Sequence, residues 1–255
     1  MNIREYQNQV IWVVGASSGI GEALTVYLVE LGATLCISAR NADKLNTMVE
    51  QGSAHMAVPV DVNQIETLVS AREQLLSQFG KIDRAIFLSA IYTPMQMDKL
   101  EIAKVREIVN TNLTGAFNFV QATYPYFLTQ KTGQIALCAS LSGYLGLPNS
   151  QPYAATKAGL INMAESLRSE ASGNGVDIKV INPGFVKTPL TDKNNFDMPF
   201  IMDASKAVRN IAKGLSKNAF EVRFPKRLSW PLRFLSRLPY RIRFRLIALL
   251  GLEFE

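Results

Sequence analysis

Short apolar runs alternate with longer stretches of helical period along most of this chain. Val10-Ile11-Trp12-Val13-Val14 is β-branched and aromatic throughout, which predicts a strand buried on both faces. It passes through Gly15-Ala16-Ser17-Ser18-Gly19-Ile20-Gly21 into an apolar-periodic helix that ends at Gly32. Further strands are predicted over Thr34 to Ala39, Ala57 to Val62, Ile82 to Leu88, Ile135 to Ala139 and Asp177 to Ile181. Helical periods fall between them: about Asn63 to Gln78, broken at Gly80; Ala103 to Val109; Asn110 through Tyr124; and the segment carrying Tyr153 and Lys157. Pro183-Gly184 closes the sixth strand, and Thr188-Pro189 opens an irregular stretch to about Met202. Strand and helix in turn, with no internal repeat, predict the α/β class: one parallel sheet with helices on both faces.

Composition narrows this. A chain of 255 residues, 48% hydrophobic, supplies one substantial core, so a single domain is expected. Cys36 and Cys138 both fall in predicted strands, the segment Met1 to Gln9 is polar, and Val10 to Val14 is too short for a secretory core. A reducing cytoplasm with two inert thiols is therefore expected. His55 is the single histidine and has no Cys or acidic company, so no metal site is expected. The net charge of +6 is uneven: residues 1 to 221 hold 19 basic and 19 acidic side chains, whereas residues 222 to 255 hold eight basic against Glu253 and Glu255. The basic character belongs to a tail.

Candidate chemistry sits where strands meet helices. Glycines 15, 19 and 21 let the backbone turn sharply and approach a pyrophosphate, whose charge the free N–H groups and dipole of a helix N-terminus stabilise; a tight loop with no ligand is the alternative. An NAD-preferring protein of this architecture carries an acidic residue at the end of the second strand. This chain has Ala39-Arg40 there, and Arg40 with Ser17 could bind a 2′-phosphate, which favours NADPH over NAD. A solvated loop charge is the other reading of Arg40. Asp61, at the end of the third predicted strand, is placed to contact an adenine.

Tyr153 and Lys157 stand one helical turn apart, about 6 Å at Cβ, on one face. A nearby ammonium stabilises phenolate, so Lys157 is expected to lower the pKa of Tyr153 from its ordinary value of about 10. Ser140, thirteen residues earlier at the end of an apolar run, could bring a hydroxyl to the carbonyl oxygen that Tyr153 protonates. A Tyr-x-x-x-Lys spacing also occurs by chance, and only the context gives it weight.

These ordered motifs, over residues 8 to 221, resemble the short-chain dehydrogenase/reductase family. The resemblance implies a Rossmann-type doubly wound parallel sheet of about seven strands in one catalytic domain, residues 1–221, with 222–255 as a basic amphipathic extension. It implies interconversion of a carbonyl and a secondary alcohol with NADP(H), NAD being less favoured, and a catalytic set of Asn112, Ser140, Tyr153 and Lys157. Tyr153 would donate the proton, Ser140 would hold the oxygen, Lys157 would tune the phenol and grip the nicotinamide ribose, and Asn112 would hold a relay water. Cofactor contacts carried over are Gly15, Ser17, Ser18, Gly19, Ile20, Gly21, Arg40, Asp61, Val62, Ser89, Tyr153, Lys157, Pro183, Gly184, Val186 and Thr188. The chain departs from the family at Val14, usually threonine, and at Leu88-Ser89-Ala90-Ile91, where Asn-Asn-Ala-Gly is common. The family favours homodimers and homotetramers built on the helices around Asn112 to Gln130 and Gln151 to Ala171.

In the tail, Pro231 and Pro239 predict first-turn positions of two short helices. Arg233, Arg237, Arg241 and Arg245 recur every four residues opposite Phe234, Leu235, Leu238 and Ile242, a pattern that Arg243 breaks. Such helices could lie on an anionic membrane surface through residues 225–250, pack over the active site, or form a subunit contact. Long aliphatics among the basic residues exclude a nucleic-acid face. Two other functions stay open beside the enzyme: a nucleotide-binding protein without turnover, and a membrane-surface interaction protein.

Overall fold

The computed structural model describes residues 5–249; the last six positions, Leu250 to Glu255, including the two acidic residues of the predicted tail, lie outside them. Seven strands form one parallel sheet: β1 (Val10–Val14), β2 (Thr34–Ser38), β3 (Met56–Ala57), β4 (Arg84–Phe87), β5 (Gln134–Cys138), β6 (Asp177–Pro183) and β7 (Glu221–Phe224), in the order β3-β2-β1-β4-β5-β6-β7. The chain winds outward from β1 in one direction and then from β4 in the other, so a crevice opens where the winding reverses, at the carboxyl ends of the strands.

Alternation along the strands feeds two cores. Ile11, Val13, Leu35 and Ile37 pack with α1 (Gly19–Glu30), α2 (Ala42–Glu50) and α7 (Ala204–Leu215). Trp12, Val14, Cys36 and Phe87 face the other way, onto α3 (Ile65–Phe79), α5 (Gly115–Gln130) and α6 (Tyr153–Glu170). Trp12 and Phe87 both meet the Phe119 ring, at 5.8 and 5.4 Å between centroids. Both faces are covered, which is why these strands read as unbroken apolar runs.

Several expectations are corrected. β3 is two residues long; beyond it Val58 and Val60 still donate to the carbonyls of Ile37 and Ala39, and Pro59 between them sits on the open edge of the sheet, where no N–H is needed. The boundary at 221/222 cuts through β7, whose pairing with β6 runs to Phe224. α8 (Lys226–Ser236) starts directly after Pro225, so Pro231 lies inside it instead of in its first turn; Pro239 just precedes α9 (Tyr240–Leu249). The arginine stripe is split by the turn between these helices, and Arg233 faces inward to Glu221. Arg243, which broke the pattern, donates to the carbonyls of Leu235, Ser236 and Leu238 and caps the end of α8.

Inward-facing Leu232 and Ile247, with Leu228 packed beside them, hold α8 and α9 against Leu141 and Leu145. Leu141 immediately follows Ser140. The tail therefore packs on the loop that carries the predicted catalytic serine.

Candidate active site

A cleft of about 430 Å³ lies at the carboxyl edge of the sheet. All sixteen predicted cofactor contacts line it, from Gly15, Ser17, Ser18, Gly19, Ile20 and Gly21 at one end to Pro183, Gly184, Val186 and Thr188 at the other, as does Ser140. They meet there because each follows a strand, and in a parallel sheet all such junctions share one edge.

Two glycines fix the first turn. A Cβ on Gly15, at φ 94°, would lie 2.4 Å from the Ser89 nitrogen, and one on Gly21 would lie 2.0 Å from the Gly15 carbonyl oxygen. Leu88-Ser89 therefore packs directly on the turn, and Ser89, Ala90 and Ile91 form part of the cleft wall. Ser18 caps α1 in extended conformation, but its side chain accepts no hydrogen bond from the first turn, so those amides stay available to an anion. Thr111 is 5% exposed, lines the cleft, and its hydroxyl has no partner among the described residues. An uncapped helix start and an orphaned buried hydroxyl in one cleft fit a phosphate-bearing nucleotide. Arg40 is exposed at the rim with Ser17, and Ala39 and Arg40, not a carboxylate, stand directly after β2.

Tyr153 opens α6, and Lys157 follows one turn later on the same face. Lys157 is 1% exposed; its Nζ donates to the Cys138 carbonyl at 2.9 Å and lies 5.3 Å from the centre of the Tyr153 ring. Ser140 stands at the end of β5, where its hydroxyl accepts from the Ser142 amide at 3.1 Å and from the Ser142 hydroxyl at 3.0 Å. It also donates to the Pro183 carbonyl at 3.5 Å, and it stands close enough to the Tyr153 phenol to act on its pKa.

The electrostatics differ from the expectation. Burial pushes the Tyr153 phenol well above its ordinary value, with Cys138 and Tyr92 adding to the rise and only the Ser140 hydrogen bond opposing it. The Lys157 ammonium lies over the ring and donates to a backbone carbonyl, and burial pulls its own pKa down. The shared helix face is present, and desolvation outweighs the pairing.

Asn112 sits beside this cluster. It is fully buried in a π-helical turn, Asn110–Thr114, between α4 (Ile102–Val109) and α5. Its Nδ2 donates to the Ile91 carbonyl at 2.9 Å and to Thr156 Oγ1 at 3.3 Å, and its Oδ1 accepts from the Ile91 amide at 2.8 Å. The side chain thus braces the cleft wall at Ile91 and ties it to α6.

Tyr92 gave no signal in the sequence beyond an aromatic residue following the fourth strand. Its ring meets Tyr153 edge-on at 5.2 Å, its hydroxyl donates to Asn194 Oδ1 at 3.0 Å, and Lys193 donates to its carbonyl at 2.8 Å. The irregular stretch after Thr188 is latched to the neighbour of Tyr153 by these contacts. His55 is exposed and accepts from the Leu35 amide at 3.1 Å, and both cysteines are free and buried. Among the described residues no group of three His, Cys, Asp or Glu could hold a metal ion, and no helix is long and apolar enough to cross a membrane.

Comparison with known proteins gives a consistent result. Residues 9–199 match the family model described as short chain dehydrogenase. A Myxococcus xanthus protein named an uncharacterized oxidoreductase is 33% identical over 231 residues, 89% of this chain and 91% of its own length. A 3-oxoacyl-(acyl-carrier-protein) reductase FabG from Thermotoga maritima is 29% identical over 73% of this chain and 78% of its own. The crystal structure of a short-chain dehydrogenase from Streptomyces avermitilis superposes with a TM-score of 0.81 at 20% identity, covering 96% of this chain and 98% of that one. With glycine turn, serine, tyrosine and lysine gathered on one edge of a seven-stranded parallel sheet, the chain belongs to the short-chain dehydrogenase family of oxidoreductases, which use NAD(P)(H).

Proposed function

We propose that this protein is an NADPH-dependent carbonyl reductase acting on a lipophilic ketone or aldehyde. The observation that carries the proposal is the convergence of the Tyr153 phenol, the Ser140 hydroxyl and the Lys157 ammonium in the cleft that begins at the glycine turn. A bound nicotinamide would supply the hydride. The first-turn amides of α1 would hold its pyrophosphate, Arg40 and Ser17 a 2′-phosphate, Asp61 and Val62 the adenine, and Pro183, Gly184, Val186 and Thr188 the nicotinamide end.

In this reading Ser140 and Tyr153 grip the substrate oxygen together, and the phenol gives it a proton as it becomes an alkoxide. A phenol held protonated by burial keeps that proton until a stronger base appears beside it, which suits reduction better than oxidation. Lys157 spends one of its three N–H donors on Cys138 and retains two for ribose hydroxyls. Asn112 is a positioning residue acting through Ile91. Ile91 and Leu190 of the cleft wall, with Tyr92 and Leu141 beside it, give a lipophilic setting for the substrate. Phe117, 53% exposed on α5, fits a homodimer or homotetramer contact.

The test is a panel of carbonyl compounds followed by NADPH absorbance, with Tyr153→Phe alongside. Turnover by the parent and a loss of about 10²–10⁴ in kcat for the variant are expected. Equal turnover by the variant would refute the assignment of the proton donor. Tight NADPH binding with no turnover of any carbonyl would make the chain a nucleotide-binding protein instead.

A further inference from the structure

Between Val222 and Leu249 the chain carries eight cations and no carboxylate. Three are used internally. Arg223 and Arg233 bond Glu221, and Arg243 caps α8. The other five, Lys226, Arg227, Arg237, Arg241 and Arg245, are exposed and have no acidic partner among the described residues. A groove of about 840 Å³ between α6, α7 and α8 adds exposed Lys213 and Lys217, and of its two carboxylates Glu221 is already held by two arginines.

The same surface is apolar. Of the eleven large hydrophobic side chains that stand exposed among the described residues, six fall between Trp230 and Leu249, which makes this a localised feature and not scattered exposure. Trp230 (59% exposed) and Phe234 (64%) are one turn apart on α8. Tyr240 and Phe244 are one turn apart on α9, their rings stacked at 5.7 Å. Leu228 and Leu232, on the opposite side of α8, are the ones that pack on the Ser140 loop. α8 therefore has an inner leucine face and an outer face of aromatics and unpaired cations.

From this we infer that the outer faces of α8 and α9 dock on an anionic phospholipid surface. Charge complementarity selects that occupant. A second copy of the chain applied to the same face would set five unpaired cations against five more, whereas an anionic bilayer neutralises them while its interfacial zone takes the aromatic rings. Trp and Tyr prefer that zone because one end of each ring system is apolar and the other wet. Docking in this way puts the Ser140 loop one helix diameter, about 10 Å, from the lipid, close enough for a membrane-dissolved carbonyl compound to pass between them.

Co-sedimentation of the full chain with vesicles of phosphatidylcholine alone, or with about a third phosphatidylserine, tests this. Each cation near an anionic surface contributes about fivefold to partitioning. The serine-lipid vesicles should therefore bind at least about tenfold more strongly than neutral ones, and 0.5 M salt should abolish the difference. The exposed triple variant Arg227→Gln/Arg237→Gln/Arg241→Gln should lose about a hundredfold, and Trp230→Ser/Phe234→Ser should weaken binding while circular dichroism stays unchanged. Equal binding to both vesicle types, no binding to either, or full retention by the triple variant would overturn the inference. So would a soluble oligomer, seen by sedimentation velocity, that dissociates in the Trp230→Ser/Phe234→Ser variant, since that would give the face to another copy. The inference does not depend on catalysis: Tyr153→Phe should sediment with the vesicles as the parent does, so failure of one reading is distinguishable from failure of the other.

Discussion

At the carboxyl edge of the sheet Lys157 is 1% exposed, and Cys138 provides its single hydrogen-bond partner among the described residues, beside an open cleft. At the amino edge Lys179 is 0% exposed, and its ammonium meets the carbonyls of Lys217 and Ala219 and the Asp177 carboxylate. Arg84, near it, is equally engaged: its guanidinium reaches Gln9, Gln134 and the Leu215 carbonyl and lies 5.1 Å from the centre of the Tyr6 ring. One edge has satisfied its buried cations, and the other has left donors unspent. A buried charge with all its donors placed reports on folding; one with spare donors facing a cleft reports on binding.

Exchanging the two losses gives the largest effects. Lys157→Met should cut kcat by about 10²–10⁴ while the unfolding midpoint changes little or rises, because a desolvated cation is removed. Lys179→Met should leave kcat within a few-fold and cost about 2–4 kcal/mol of stability, since two buried carbonyls lose their donor. Steady-state kinetics and urea unfolding of both variants decide the matter. A Lys179→Met protein that folds normally but has lost turnover would erase the distinction.

The sequence made one edge more legible than the other. β1, β2, β4, β5 and β6 announce themselves as apolar runs, and the site residues follow directly because each sits at a strand-to-helix junction. β7 does not: Glu221-Val222-Arg223-Phe224 is four residues with two charges, and its place depends on β6. The Arg84 and Lys179 networks join residues up to 131 positions apart, which no local pattern records. The same holds for Tyr92 with Asn194, and for Asn112, whose direction is set by a π turn that looks in sequence like ordinary helix. Spacing placed Lys157 beside Tyr153 correctly, but how much water each keeps is a property of the whole packed sheet, and that decided the sign of the tyrosine's shift.

Glu221 ties the tail to the same comparison. Burial alone would raise its carboxyl, but hydrogen bonds from Tyr144, Asn182 and Arg223 and the charge of Arg233 outweigh it, and the group is held below the usual carboxylate range. A depressed folded-state value means that this stabilisation is complete above the unfolded value of about 4.3 and is lost as pH falls through the folded one. Glu221→Gln should cost about 1–3 kcal/mol at neutral pH and flatten the acid limb of the stability curve. Because Tyr144 follows the Ser140 turn directly, its hydrogen bond to Glu221 also braces that turn, and the variant should raise KM more than it lowers kcat. Unchanged acid unfolding in the variant would show that the four contacts do not act as a unit.

The smallest effect concerns pH at the alkaline end. Burial lowers the Lys157 value below its ordinary 10.5, so between the folded and unfolded values the unfolded chain binds more protons than the folded one. Stability contributed through this group therefore rises with pH across that window, by up to about 1.4 kcal/mol per pH unit, and levels off above 10.5. Other titrating groups overlay it, so the quantity to measure is the difference between parent and Lys157→Met in urea unfolding from pH 7 to 10. That difference should shift in favour of the parent as pH rises. A saturating nucleotide that gives the two spare N–H donors acceptors would stabilise the charged amine and flatten the trend. A trend that is flat without nucleotide would mean that the ammonium is as well solvated as the one at Lys179 is well paired, and the contrast between the two edges would fail at its finest point.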